Sequence, residues 1–140
     1  MKNLLKNTMI LAATIFCFSG ITTFNVNAEN NVVSPKDLPY NDTDSYSEFY
    51  CNRSTTFATS RLTNRSGVAR YIQASVTAYL NDGTHGFEGD HFEGCPDGYS
   101  SGCTYVLSGA TAITYATFRG SMYSGVEPYG DTISSWVVTK

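Results

Sequence analysis

The chain has 140 residues and a formal net charge of −3, with 41% hydrophobic, 14% aromatic and only 15% charged residues. This length fits a single domain. So many aromatic and so few charged side chains exclude a disordered chain. The acidic balance also argues against a nucleic-acid binder. We therefore expect one folded domain whose partner is not a nucleic acid.

Residues 1–28 have the layout of a cleaved secretory signal peptide. Lys2 and Lys6 precede the apolar stretch 9–18, and Val26-Asn27-Ala28 provides a cleavage site. The apolar stretch is shorter than the about 20 residues of a membrane span. We therefore expect a secreted, extracellular protein without a membrane span, and an uncleaved anchor is the alternative. Cleavage after Ala28 leaves seven basic and twelve acidic residues, a net charge of −5.

Three cysteines, Cys51, Cys95 and Cys103, follow the predicted signal peptide. Export to an oxidising environment favours disulfide bonds. Cys95 and Cys103 enclose seven residues rich in turn formers, so we predict a disulfide between them. Pairing of Cys51 with either one is the alternative, because connectivity cannot be read from sequence.

The composition of the chain changes after residue 50, and the first strands are predicted beyond that point. Residues 29–50 are polar and contain two prolines, which indicates a loose polar leader ahead of a single β domain at 51–140. The threonine-rich run 54–63 favours a strand. Apolar and polar residues alternate over 68–80, with only Arg70 breaking the apolar set, which predicts a second strand with one buried face. The turn signal between these runs predicts a hairpin.

The rest of the chain also favours strands. Glycines recur over 81–103, so we expect an irregular segment there, followed by β regions at 104–118 and 133–139. No stretch after residue 28 has a helical period. These patterns predict an all-β fold, a small antiparallel β-sandwich or a partly open barrel.

The segment 82–97 is a candidate metal site because it contains both histidines and five of the twelve acidic residues. Glycines allow sharp turns, which let carboxylates that are close in sequence converge. Oxygen ligands suit Ca²⁺, whereas a histidine pair with a carboxylate suits Zn²⁺ or Cu²⁺. The spacing matches no defined metal-binding loop, so a solvated polar loop is the alternative. The candidate ligands are Asp82, Glu88, Asp90, His91 and Glu93.

The polar face of the strand at 68–80 is a candidate binding surface. Tyr71 and Tyr79 share this face with Gln73. Tyrosine offers a large contact area at a small entropy cost, which suits contact with a protein or a sugar. The alternative is that these rings cover a second sheet or a loop.

The sequence contains none of the catalytic or nucleotide-binding motifs that we sought: no nucleophile elbow, zinc-protease helix, P-loop or dinucleotide fingerprint. We therefore assign no catalytic residue and no cofactor, with Ca²⁺ as the one alternative. The predicted function is that of a secreted binding module for an extracellular protein, a glycan or a cell envelope.

Two other functions remain open. The size, the export signal and the β body rich in threonine and tyrosine resemble small secreted proteins of Gram-positive bacteria, including bacteriocins. This resemblance implies a bacteriocin-like or toxin-like effector. The other alternative is a small extracellular hydrolase that uses His85 and His91.

Overall fold

A computed structural model describes residues 28–140, and the predicted signal peptide, apart from Ala28, lies outside them. The part of the chain that it describes contains strands, turns and no helix, and thus no helix that could span a membrane. The strands are β1 (Glu29–Val33), β2 (Tyr40–Thr43), β3 (Ser47–Arg53), β4 (Phe57–Asn64), β5 (Arg70–Leu80), β6 (His85–Cys95), β7 (Ser100–Val106), β8 (Ile113–Tyr123) and β9 (Thr132–Thr139).

The strands form two sheets. The five-stranded sheet has the order β1-β9-β8-β5-β6, and the four-stranded sheet has the order β2-β3-β4-β7. All neighbours are antiparallel except β1 and β9, which pair in parallel. The two sheets enclose one hydrophobic core. The predicted all-β sandwich is therefore confirmed.

The core is filled by alternate residues of the strands. On β5 the apolar side chains of Ile72, Val76 and their neighbours are buried, and the residues between them are more exposed. Phe49 and Trp136 stack across the two sheets with ring centroids 5.8 Å apart. Gly120 makes room for this packing, since a Cβ there would lie 2.7 Å from the Phe49 ring.

Residues 29–50 differ from the predicted loose leader because they contain β1, β2 and the start of β3. β1 pairs with β9 at the opposite end of the chain. β2 pairs with β3, which begins only four residues later. The polar composition of 29–50 reflects the edge positions of β1 and β2, where side chains meet solvent.

The predicted hairpin of the runs 54–63 and 68–80 is wrong. β4 belongs to the four-stranded sheet and β5 to the five-stranded sheet, so the turn between them crosses from one sheet to the other. β5 instead forms a hairpin with β6, across the turn at 81–84. The glycine-rich segment that we expected to be irregular thus contains β6 and β7.

The predicted disulfide between Cys95 and Cys103 is also wrong, because all three cysteines of residues 28–140 are free thiols. Cys95 ends β6 in one sheet, whereas Cys103 pairs with Ser60 in the other sheet. β7 begins at Ser100, five residues after Cys95. Because a strand advances about 3.3 Å per residue, β7 carries Cys103 about 10 Å beyond Ser100. A disulfide needs Cα atoms within about 7 Å. The extended strand, which the turn-rich sequence conceals, separates the two thiols.

Candidate functional site

Alternate residues of β5, β6 and β8 point away from the core and form one solvent-facing surface, which we call the outer face. The register aligns Gln73 of β5 with His91 of β6 and with Ser121 of β8. The outer face consists of Tyr71, Gln73, Ser75, Thr77 and Tyr79 from β5, His85, Phe87, Gly89 and His91 from β6, and Tyr115, Thr117, Arg119, Ser121 and Tyr123 from β8.

Aromatic rings gather at the two ends of the outer face. At one end Tyr79 stacks on Tyr115, with ring centroids 4.3 Å apart, and also contacts His85 at 5.9 Å. At the other end Tyr71 contacts the rings of His91 at 5.7 Å and Tyr123 at 5.3 Å. Eight residues of strand separate Tyr71 from Tyr79, a distance of about 27 Å.

The predicted binding residues Tyr71, Gln73 and Tyr79 therefore share one face, but they differ in what they offer to a ligand. Tyr71 is only 7% exposed, because neighbouring rings cover it. Gln73 and Tyr79 are half-buried. Gln73 Nε2 donates a hydrogen bond of 3.2 Å to Tyr123 Oη, which orients the amide. The rings beside Tyr71 come from β6 and β8 of its own sheet, so these contacts do not show the alternative that the tyrosines cover a second sheet or a loop.

A groove opens in the outer face where Gly89 contributes no side chain. It has a volume of about 340 Å³. A Cβ at position 89 would lie 3.2 Å from the Phe87 ring and 3.5 Å from Ser75 Cβ, so any larger residue would fill the space. The residues that line this Gly89 groove are Gln73, Ala74, Ser75, Phe87, Gly89, Asp90 and His91.

The Gly89 groove combines one apolar surface with several polar groups. Phe87 is 63% exposed, which is unusual for a phenylalanine on a strand. Gln73, Ser75 and His91, which carry an amide, a hydroxyl and an imidazole, also line the groove. Small-molecule sites are commonly built in this way, from an apolar wall and a few polar groups that fix orientation.

The five candidate metal ligands do not converge. The side chains of Glu88 and Asp90 lie on the inner side of β6, opposite buried Val76 and Ala74, whereas His91 lies on the outer face. Strand alternation places Glu93 on the outer side as well. No group of three or more potential ligands comes together anywhere in 28–140.

Two carboxylates of this set, Asp82 and Asp90, accept hydrogen bonds from neighbouring residues. Asp82 lies in the turn before β6 and accepts hydrogen bonds from the backbone and hydroxyl of Thr84. These bonds hold the pKa of the Asp82 carboxyl below its usual value. Asp90 Oδ2 accepts a hydrogen bond of 3.3 Å from Ser101 Oγ, which joins β6 to β7.

His85 and His91 lie too far apart to act together. Both are on the outer face of β6, and six residues of strand place them about 20 Å from each other. Each imidazole contacts a tyrosine ring. A nucleophilic site needs a base within hydrogen-bond distance of its nucleophile, and tyrosine stacking does not provide that geometry.

Cys103 lies where β6 approaches β7. Its Sγ is 3.4 Å from the Glu88 carbonyl oxygen and 3.5 Å from Ser60 Oγ. Burial, with the added effect of the Glu88 and Asp90 carboxylates, raises the pKa of the Cys103 thiol. The thiol is the poorly nucleophilic form of cysteine, so this position does not favour covalent chemistry.

Sequence reasoning missed Phe87, Gly89 and Arg119 as residues of the outer face. Glycines and charged residues dominate β6, so no apolar–polar alternation marks it as a strand, and the pairing with β5 places Phe87 and Gly89 on the outer face. No protein-family model, curated protein or solved structure matches this chain.

Proposed function

We propose that the protein is a non-catalytic, secreted binding module that holds a glycan in the Gly89 groove. The observation that carries this proposal is an exposed aromatic ring, Phe87, beside the amide of Gln73 and the hydroxyl of Ser75. A sugar ring has an apolar C–H face and a rim of hydroxyl groups. The first suits contact with an aromatic ring, and the second suits hydrogen bonds to amide and hydroxyl groups.

The size of the groove favours a sugar over a protein surface. Its volume of about 340 Å³ falls within the range of small-molecule sites. A stable protein interface instead buries about 800 Å² on each partner and centres on several large anchors. Beside the groove the outer face carries the short side chains of Thr77, Thr117 and Ser121, over which a longer glycan chain can lie.

The predicted export of the protein supports a glycan as its ligand. The signal-peptide layout of residues 1–28 directs the chain out of the cell, where polysaccharides of envelopes and matrices are abundant. The formal net charge of −3 disfavours nucleic acid and anionic lipid as partners.

Depletion by insoluble polysaccharides tests the proposal. The folded protein is incubated with chitin, cellulose, mannan and peptidoglycan, and the fraction left in solution is measured. We expect at least one polysaccharide to deplete it. Gly89→Val, which fills the groove, and Phe87→Ala, which removes the apolar wall, should each weaken binding at least tenfold.

Thr43→Val is the matched control, because Thr43 is exposed on β2 of the four-stranded sheet and lies neither in the groove nor on the outer face. Its binding should equal that of the unchanged protein, and circular dichroism should show that all variants fold. No depletion by any of the four polysaccharides, or equal depletion of Gly89→Val and the unchanged protein, would overturn the proposal.

A further inference from the structure

Arg119 is an exposed cation in the middle of the outer face. Its register partner on β5 is Ser75, and the partner of Ser75 on β6 is Gly89. Gly89, Ser75 and Arg119 therefore form one row across three strands. Neighbouring strands are about 4.8 Å apart, so the Cα atom of Arg119 is about 10 Å from that of Gly89. The small side chain of Ser75 leaves the space between them open.

Arg119 makes no ion pair within residues 28–140, where the single salt bridge joins Arg65 to Glu48. The nearest carboxylates by register, Glu88 and Asp90, lie on the inner side of β6. Asp90 also lines the Gly89 groove, but its carboxylate accepts a hydrogen bond from Ser101 of β7, on the side away from Arg119. The formal net charge is −3, so basic side chains are in the minority. An exposed arginine without a carboxylate partner, set beside a groove, is available to a ligand.

The guanidinium group of arginine is well suited to binding a carboxylate. Its planar fork of N–H donors matches the two oxygens of a carboxylate, and such charge-assisted bonds are stronger than neutral ones. A sugar that carries a carboxylate can place its ring against Phe87 and direct its acid group over Ser75 toward Arg119.

We infer that the Gly89 groove selects an acidic glycan, whose sugar carboxylate pairs with Arg119. This inference rests on the proposed function and adds the class of sugar. The net negative charge of the protein repels an anionic polymer at long range. Selection therefore depends on the local pair with Arg119 and should be lost when that one cation is removed.

Matched polysaccharide pairs test the inference. Polygalacturonate, alginate and hyaluronate are each compared with their carboxyl-reduced forms, which keep the sugar backbone and lose the charge. We expect at least one acidic form to bind at least tenfold more tightly than its reduced counterpart. Arg119→Gln should abolish this preference without changing affinity for the reduced form, and Arg119→Lys should retain part of it.

Arg61→Gln is the control for net charge, because Arg61 is exposed on the four-stranded sheet, where it lies over the Tyr50 ring. This variant should keep the full preference. A preference that survives in Arg119→Gln, or equal binding of acidic and reduced forms, would overturn the inference. If neutral glycans then bind and Gly89→Val abolishes that binding, the proposed function stands. If Gly89→Val changes no glycan binding, both fail.

Discussion

The two long sides of the sandwich, where the edges of the sheets meet, are closed by different interactions. On the β1 side, Asp44 Oδ2 accepts hydrogen bonds from Ser134 Oγ at 2.6 Å and Asn31 Nδ2 at 3.0 Å. Ser47 Oγ lies 2.8 Å from Ser134 Oγ and accepts a bond of 2.8 Å from Trp136 Nε1. We call these five residues the Asp44 network.

On the β6 side the side-chain hydrogen bonds between β6 and β7 are fewer and longer. Ser101 Oγ donates to Asp90 at 3.3 Å, and Cys103 Sγ contacts the Glu88 carbonyl oxygen at 3.4 Å. Most residues of β6 are exposed. The β1 side therefore contributes stability, whereas the β6 side leaves a strand accessible to a ligand. Stability and binding are separable in this fold, and substitutions on the two sides should affect different measurements.

Asp44→Ala should have the largest effect on stability. It removes the acceptor of Ser134 and Asn31, together with the bonds that Asp44 Oδ1 accepts from the backbone of Tyr46 and Ser47. Removing several part-buried hydrogen bonds to one charged acceptor should lower the free energy of unfolding by about 3 kcal/mol. Urea denaturation measures this loss.

Asp90→Ala is the counterpart on the β6 side and should cost only about 1 kcal/mol, because it removes a single part-buried hydrogen bond, which is long. Equal losses for the two variants would contradict the difference between the two sides.

Ser47→Ala should have the next largest effect. The Ser47 hydroxyl is fully buried and accepts the indole N–H of Trp136, which has no other partner within hydrogen-bond distance among the described residues. A buried donor left without a partner costs about 2 kcal/mol. Ser101→Ala on the β6 side should cost about half as much. Thermal unfolding compares the two variants, and a smaller loss for Ser47→Ala would argue against the Asp44 network.

Alkaline pH should weaken the fold by a smaller amount through Cys51, the register partner of Tyr40 near the β1 side. Burial raises the pKa of the Cys51 thiol from 9.0 to about 12. Above pH 9 the unfolded chain loses this proton while the folded chain retains it, so stability falls as pH rises from 9 to 12. At pH 10, one unit above the ordinary pKa of 9.0, the loss should be about 1–2 kcal/mol.

Comparing stability at pH 8 and pH 10 in the unchanged protein and in Cys51→Ala isolates this contribution. Tyr40, whose pKa burial raises to about 12, remains in both and cancels. Identical pH dependence in the two proteins would show that Cys51 does not titrate as its burial requires.

The fold class could be predicted from sequence because β5 carries a local signal. Its alternation defines the buried and outer sides, which agree with the structure apart from Tyr71, an outer residue that neighbouring rings bury. Sheet membership could not be predicted, since the pairing of β4 with β7 depends on residues about 40 positions apart. Tertiary pairing also overrode the weak strand preference of the glycines and charges in β6.

The candidate site was only partly predictable for the same reason. Gln73 and Tyr79 were identified from alternation within a single strand. Arg119 and Phe87 join them through the register of β5 with β8 and β6, which no local pattern specifies. The five acidic and histidine candidates were grouped by closeness in sequence, but an extended strand sends neighbouring residues to opposite faces.

The last prediction is that reduction of the protein leaves its stability unchanged. A disulfide between Cys95 and Cys103 would stabilise the fold by about 2–3 kcal/mol, so its reduction would lower the melting temperature. Because the two cysteines lie on strands of different sheets, a reducing agent should leave the melting temperature unchanged.

Alkylation of the unfolded, unreduced protein should modify Cys51, Cys95 and Cys103. In the folded protein the half-buried Cys103 should react before the fully buried Cys51 and Cys95, since access controls the rate. Only one modified thiol, together with a melting temperature that falls on reduction, would mean that β6 and β7 meet differently from the structure described here.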